Sequence, residues 1–347
     1  MLKRKTIYFV SRLLASVCLT LTFISCDKEN PVIPPSTNPL IVDSNFFDWH
    51  FDTLQISPMF GMYIADTNKV IIPGNHYSTY INNGSIQYIS HNDNDFEGWC
   101  VNGTDINNVY IGGASISQYR TKLKRWNGVG IEDIAMPIDT SCRIISIETI
   151  SENDIWISTN KSIIYHYSNQ FFTTYRLDSE LVDGLIYKDN IGGLYAALVK
   201  IFYGLNSHML YMFKFENNSW IEVCKDSVSE NSELQIFIGF SESKMLRSGK
   251  TGIYYFNGNK WEKYVNLGNT LRPYLACGSS AENIMFRADE GNQSYLFHYD
   301  GNRLYRNSDL MFPDPSFMSM QYKFGRFYVT INEDWMGYSY LGIAKFK

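Results

Sequence analysis

Seven short apolar segments recur along the chain. Two of them end in arginine, at a position where the others carry small or compact residues. Arg247 and Arg287 each stand at the end of a short apolar segment, 40 residues apart. Five other segments of the same kind end in small or compact residues, namely Pro73, Gly112, Ser158, Ala197 and Thr330. Departures from a local rule are typical of functional sites. The two side chains are therefore our first candidates for ligand binding.

Two guanidinium groups in neighbouring repeats can form a fork that binds a carboxylate or sulfate. We therefore expect an acidic ligand, such as a uronic-acid or sulfated glycan. Trp335 and Tyr203, in the corresponding loops of other repeats, are further candidates because aromatic rings stack on sugar faces. The structural alternative is neutralisation of the arginines by nearby acids, namely Asp289, Glu290 or Glu242.

Histidines do not form a convincing catalytic set. His166 and His298 occupy the same place in two repeats, Tyr-His-Tyr and Phe-His-Tyr, where other repeats carry Tyr, Lys or Arg. A position that accepts all of these is structural and partly exposed. No Ser-His-Asp order and no glycine-rich phosphate loop is present. We expect no catalytic residue, and a glycoside hydrolase or lyase is kept as the enzymatic alternative.

One acidic stretch resembles the opening of a calcium loop. Asp93, Asp95 and Glu97 alternate before Gly98, but the twelfth position is Thr104, where a calcium loop has Glu. The alternative is a plain acidic connection between repeats. We expect no metal site and no cofactor, with calcium near these three acids as the weaker hypothesis.

The elements that position these residues form a repeat of about 43 residues. Strand–turn–strand hairpins recur with turns centred near Asn83, Asn127, Asn169, Asn217, Gly258 and Gly301. An apolar strand precedes each hairpin, and a seventh such strand starts near Arg326. Asn and Gly tolerate the positive φ angles of tight hairpins. This period is that of a four-stranded propeller blade, and 16% aromatic residues favour strands.

Seven blades are predicted, with the ring closed by the N-terminal strand. The last repeat stops at Lys347, where its hairpin turn is due, while residues 44–51 resemble an outer strand with its turn. Pairing of 44–51 with 342–346 would complete the last blade and cover its exposed edge. Residues 44–347 divided by this period give seven antiparallel blades of four strands, an all-β fold.

The first 26 residues have the pattern of an export signal. A basic start, MLKRK, is followed by about a dozen apolar residues up to Ile24, which is too short for a membrane-spanning helix. Cleavage before Cys26 would leave 26 basic against 35 acidic residues, a formal charge of −9. That balance argues against a nucleic-acid partner.

The string TFISC followed by DKEN resembles the lipobox of bacterial lipoproteins, in the form found in Bacteroidetes surface lipoproteins. The resemblance implies that Cys26 is acylated and that the chain is anchored in the outer membrane, on its surface or periplasmic side. Cleavage by the ordinary signal peptidase is the alternative. We divide the chain into a signal peptide, 1–25, a lipidated cysteine with a proline-rich tether, 26–39, and the propeller domain, 40–347.

Four cysteines remain after the anchor: Cys100, Cys142, Cys224 and Cys277. They contain no C-x-x-C pair, so a zinc site is not predicted, and their apolar surroundings favour buried free thiols over disulfides.

The segment SENDIWIST at Ser151 resembles repeats of two-component regulator propellers and similar Bacteroidetes propeller lipoproteins. The resemblance implies the propeller fold but no particular ligand. We therefore predict a non-catalytic, membrane-anchored monomer that binds a carbohydrate or a protein on one propeller face. A scaffold of outer-membrane assembly is a further alternative.

Overall fold

The computed structural model describes the following residues: 41–43, 47–54, 61–137, 142–189, 192–202, 207–229, 236–237, 246–249, 251–268, 271–280, 282–290, 293–312, 316–333 and 338–347. All regular elements in these ranges are β-strands. A helix long and apolar enough to cross a bilayer does not occur among them.

Seven sheets follow one another along the chain and form a seven-bladed β-propeller, as predicted. Two strands precede the first complete blade, β1 (Ile41–Asp43) and β2 (Phe47–Leu54). Blade one contains β3 (Tyr63–Asp66), β4 (Lys69–Ile72), β5 (Tyr77–Asn82) and β6 (Ser85–Ser90). Blade two contains β7 (Phe96–Asp105), β8 (Asn108–Ser115), β9 (Thr121–Trp126) and β10 (Ile131–Ile134). Blade three contains β11 (Ile144–Ser151), β12 (Asp154–Thr159), β13 (Ile163–Ser168) and β14 (Phe171–Arg176).

The remaining blades repeat this order. Blade four contains β15 (Leu181–Lys188), β16 (Leu194–Ile201), β17 (Ser207–Glu216) and β18 (Ser219–Ser229). Blade five contains β19 (Ile236–Phe237), β20 (Leu246–Gly249), β21 (Gly252–Phe256) and β22 (Trp261–Asn266). Blade six contains β23 (Leu271–Ser280), β24 (Asn283–Glu290), β25 (Gln293–Tyr299) and β26 (Leu304–Phe312). Blade seven contains β27 (Ser316–Lys323), β28 (Arg326–Glu333) and β29 (Tyr338–Phe346).

The predicted ring closure is confirmed. Strand β2 pairs antiparallel with β29, from Phe47 opposite Phe346 to Leu54 opposite Ser339, and becomes the fourth strand of blade seven. Residues 44–46 of the predicted segment lie outside the described residues, and the strand continues three residues beyond the predicted end. The N-terminal segment therefore removes the open edge of the last blade.

Strand β1 adds a feature that the repeat pattern did not predict. It pairs in parallel with β26, with Ile41 opposite Leu304, so blade six has five strands instead of four. The chain thus covers the outer edge of blade six before it completes blade seven.

Side chains of blade seven also bind the backbone of blade one. The Gln321 Nε2 donates to the Met62 carbonyl oxygen at 2.7 Å, and Lys323 Nζ donates to the Ile64 carbonyl oxygen at 2.6 Å. These bonds join the two ends of the propeller domain directly, at the innermost strands.

The hairpin turns adopt the backbone that their residues favour. In the turn between β5 and β6, Asn83 and Gly84 have φ angles of 51° and 76°. Two positive φ angles in succession are those of a two-residue type I′ hairpin. The predicted turns near Asn169 and Asn217 likewise have two successive positive φ angles.

Aromatic and aliphatic residues fill the spaces between blades. The cluster between blades two and three, for example, contains Tyr110, Ile147, Ile157 and Tyr165, all fully or nearly fully buried. Much of the aromatic content therefore serves blade packing.

Candidate functional site

The innermost strands of the blades carry β-bulges near the end where they begin. In blade two the pairing shifts between Gly98 and Cys100, which leaves Trp99 as the extra residue. Similar shifts occur in blades three, four, six and seven. We call this end of the ring the upper face, since the first strands begin and the second strands end there. Bulges re-aim side chains and are common beside functional sites.

Four of the small residues noticed in the sequence lie beside these bulges. Gly112 pairs with Cys100 next to the bulge, and a Cβ at Gly112 would lie 2.5 Å from Cγ2 of Ile144 on the next blade. Ser158, Ala197 and Thr330 stand at the same place beside their own bulges. Close approach of the neighbouring inner strand therefore limits the size of this residue at Gly112.

Trp99 and Arg143 form a stacked pair beside the channel, on blades two and three. The Cζ of Arg143 lies 3.9 Å from the centroid of the Trp99 ring. The backbone of Arg143 is held on both sides by Asn160, since Arg143 N donates to Asn160 Oδ1 at 2.9 Å and Asn160 N donates to the Arg143 oxygen at 3.1 Å. Asn160 thus holds the backbone of Arg143, and the guanidinium lies within cation–π distance of the Trp99 ring.

Asp183 on blade four completes a cluster with this pair. It lies in the bulge of β15 with a φ of 51°, a conformation that residues other than glycine rarely adopt. Desolvation raises the pKa of Asp183, and the positive charge of Arg143 opposes that rise. Three consecutive blades therefore contribute an aromatic ring, a cation and a carboxyl group, which we call the upper cluster: Trp99, Arg143 and Asp183.

Arg287 has a second arginine–aromatic stack on blade six. Its Cζ lies 4.9 Å from the ring centroid of Tyr274, a residue in the bulge of β23. The guanidinium also lies 3.6 Å from Asp289 and donates to Ser294 Oγ at 3.0 Å. Asp289 is one of the acids that the structural alternative named.

Arg247 lies inside blade five and is only 4% exposed. Its guanidinium forms an ion pair with Asp226 of blade four and lies over the rings of Tyr254 and Trp261, at 4.5 and 5.2 Å. Asp226 was not among the partners considered from the sequence. Arg247 and Arg287 thus each have an intramolecular acid partner, and their binding of an acidic ligand stays a prediction.

Three other predicted residues cannot be placed. Tyr203, Trp335 and Cys26 lie outside the described residues.

A second charged group lies in the channel towards the opposite, lower face. Glu148 of blade three interacts electrostatically with Lys188 of blade four and Lys323 of blade seven. Because blades three and seven are not neighbours, the interaction with Lys323 runs across the channel. Burial raises the pKa of Glu148 to about 8. Burial therefore favours the protonated form of this carboxyl group, while the two lysines oppose it.

The acidic stretch at residues 93–98 is neutralised by lysines. Lys122 Nζ lies 2.8 Å from Asp93 Oδ2 and 3.3 Å from Asp95 Oδ2. Asp95 also accepts bonds from Ser115 Oγ and the Ser117 amide, which together hold its pKa well below the usual range. Within the described part of the chain, no group of three or more potential metal ligands is present. The stretch anchors the loop that displays Ile116 and Tyr119 on the upper face.

The two repeat-equivalent histidines have structural partners. His166 Nε2 lies 2.8 Å from Asp154 Oδ1 and its ring stacks on Trp156. His298 Nε2 lies 2.9 Å from Asn283 Oδ1, and burial lowers the pKa of His298 to about 4. His166 is partly exposed, as expected of this position, whereas His298 is only 7% exposed.

Among the cysteines, Cys100 and Cys277 are buried free thiols, as predicted, and burial raises the pKa of each. Cys142 is also buried, whereas Cys224 is only half-buried.

Sequence reasoning missed the upper cluster, although a signal was present. Trp99, Arg143 and Asp183 are 44 and 40 residues apart, close to one repeat period. Aligning the start of the first strands, instead of the end of the second strands, brings these chemically unlike residues together.

Comparison with known proteins gives the fold and no family. No family model matches the chain, and no curated protein matches it. Among solved structures, YCF48 bound to a D1 peptide superposes with a TM-score of 0.63 at 12% identity, covering 89% of this chain and 100% of that one. The extracellular domain of a one-component system from B. thetaiotaomicron has a TM-score of 0.59 at 10% identity, covering 86% of this chain and 40% of that one. The GH74 xyloglucanase from Xanthomonas campestris has a TM-score of 0.59 at 10% identity, covering 82% and 52%. At these identities the likeness concerns the fold alone.

Proposed function

We propose that this chain is an exported binding protein, anchored through Cys26, that recognises a protein partner on the upper face of its propeller. The observation that carries the proposal is the upper cluster. It combines a stacked aromatic ring, a cation and a carboxyl group from three consecutive blades. Tryptophan and arginine are the residue types that dominate binding energy at protein interfaces.

The loop between β8 and β9 of blade two adds a surface for binding a protein partner on the same face. Ile116 and Tyr119 are 41% and 64% exposed, and the loop is held by the Asp95 hydrogen bonds described above. A rigid display of exposed apolar and aromatic side chains lowers the entropic cost of binding a partner.

The structural neighbours support a binding role on this fold without specifying it. One of them, YCF48, is solved with a bound peptide, and another is the extracellular part of a one-component system. An extracellular neighbour also agrees with the export predicted from residues 1–26.

An enzymatic role has less support, although one neighbour is a xyloglucanase. Glycoside hydrolysis in its usual form needs two carboxyl groups about 5 to 10 Å apart. Glu148 has the raised pKa of a general acid, but the groups that influence its charge are two lysines. Among the described residues the upper cluster supplies a single carboxyl group, so neither location provides the required pair within the described part of the chain.

The experiment that tests the proposal compares ligand classes on one preparation. The purified full chain is applied to an array of 15-residue peptides, drawn from the exported proteins of its host, and to a glycan array. We expect selective binding to a subset of peptides and none to neutral glycans. Selective binding to glycans alone, or release of sugar from a bound polysaccharide, would replace the proposal by a carbohydrate receptor or an enzyme.

A further inference from the structure

Arg143 differs from the other arginines that stack on aromatic rings. Arg125 lies over Tyr110 and forms an ion pair with Glu152 at 2.6 Å. Arg306 lies over Tyr295 and forms an ion pair with Glu290, also at 2.6 Å. For Arg143, the described residues place no carboxylate oxygen within 4.0 Å of the guanidinium.

The Nε of Arg143 is inaccessible to solvent and forms no hydrogen bond within the described part of the chain, and the same is true of the Nε of Arg125. Arg143 therefore differs from Arg125 in its lack of an ion pair among the described residues and not in its Nε. The guanidinium lies against the Trp99 ring, and its planar fork can bind a carboxylate through two hydrogen bonds. A guanidinium that lies against an aromatic ring and forms no ion pair with the described acids is suited to bind a carboxylate from outside.

We propose that Arg143 binds a carboxylate group of a peptide ligand, with Trp99 as the stacking platform and Asp183 accepting a hydrogen bond from the same ligand. This inference rests on the proposed function and specifies the chemistry of its ligand. The peptide carboxylate is the terminal one or that of an Asp or Glu side chain.

The surroundings favour a peptide over an acidic polysaccharide. An acidic polysaccharide carries a negative charge on many of its units, and Asp183 together with the formal charge of −9 after Cys26 would repel it more strongly than a peptide with one carboxylate. A peptide carries carboxylates and N–H donors side by side.

The test is a titration followed on the indole N–H signal of Trp99 by NMR, in the full chain labelled with ¹⁵N-tryptophan. The variant Trp99→Phe assigns the signal. Three probes are compared, namely acetyl-Ala-Glu-Ala-amide, acetyl-Ala-Ala-Ala with a free carboxyl end, and acetyl-Ala-Gln-Ala-amide. We expect the Trp99 signal to move with one or both acidic probes and not with the glutamine probe. Arg143→Lys should weaken that response about tenfold, because lysine keeps the charge and loses the fork.

Arg125→Lys is the matched control, since it alters a stacked arginine that has its own acid, and it should leave the response unchanged. Equal response to the glutamine probe, an unchanged response in Arg143→Lys, or response to glucuronate alone would overturn the inference. In each of these cases, peptide binding on the array that persists in Arg143→Lys would leave the proposed function standing. If the natural chain neither responds to the acidic probes nor binds peptides on the array, the inference and the proposed function are both overturned.

Discussion

Phe47 lies directly opposite Phe346 in the ladder between β2 and β29, and the centroids of the two rings are 4.7 Å apart. This contact joins residues at the two ends of the domain. Phe47 is 4% exposed and also packs on the ring of Phe327, whereas Phe346 is 39% exposed. Closure of the ring therefore depends more on Phe47 than on its partner.

We expect Phe47→Ala to lower the free energy of unfolding by about 3–4 kcal/mol, because it empties a buried aromatic site at the closing seam. Phe346→Ala should cost less than half as much, because that ring is already partly in solvent. Urea denaturation of the two variants measures both values. Equal, small losses would mean that the N-terminal strand contributes little to closure.

Most of the fold could be predicted because strand and turn patterns recur in the sequence at a regular spacing. All seven second strands and the closing strand occupy the predicted places, since each repeats a pattern of apolar strand and Asn or Gly turn. Strand β1 could not be predicted, because Ile41–Asp43 is too short to carry a pattern and pairs with a blade more than 260 residues away.

The site was harder to predict because it arises from irregularities. Trp99 and Asp183 reach their positions through bulges, which shift the pairing by one or two residues and leave no trace in the spacing of apolar residues. The acid partner of Arg247 was equally hidden, since Asp226 comes from the outer strand of another blade. Asp289, the partner of Arg287, was among the acids named from the sequence.

Because His298 is buried, we expect the free energy of unfolding to fall in acid. Burial lowers its pKa to about 4 in the folded chain, although Asp300 opposes that shift, while the unfolded chain has the ordinary value of 6.5. The unfolded state therefore binds more protons as pH falls from 6.5 to 4, and the free energy of unfolding should fall by about 3 kcal/mol over that range. His91, with its pKa also lowered to about 4, adds to the same slope.

The slope is measured by urea denaturation at pH 7, 6, 5 and 4. His298→Gln should be less sensitive to pH than the natural chain over this range. An identical slope in the variant would show that His298 is not neutral in the folded state.

For Glu148 we expect the opposite effect, a fall in the free energy of unfolding as the pH rises. Its folded pKa of about 8 lies above the ordinary value of 4.5, so the folded state holds a proton that the unfolded state has lost. The stability linked to this group is present below pH 4.5 and is lost as pH rises towards 8. Glu148→Gln should flatten the dependence between pH 5 and 8, as measured by denaturation, and Glu180→Gln, an exposed acid, should leave it unchanged. The same slope in both variants would contradict this assignment.

We expect the chain to be held at the membrane by acyl chains on Cys26. Cys26→Ala should release the mature chain from the membrane fraction or leave its precursor uncleaved, because no acyl chains can be attached. Fractionation of cells followed by immunoblotting detects both results, and Cys224→Ala serves as the control. Membrane retention of a cleaved Cys26→Ala chain would require a different anchor.

The central claim is that the upper face binds the partner, and photocrosslinking in the host cell tests it most directly. A benzophenone amino acid replaces either Tyr119, on the upper face, or Phe171, the first residue of β14 beside a hairpin turn at the lower face. Both side chains are well exposed, at 64% and 78%, so the two positions differ mainly in the face they report. We predict a discrete adduct of one mass from position 119 and none from position 171. An adduct from position 171 with none from position 119 would contradict the claim.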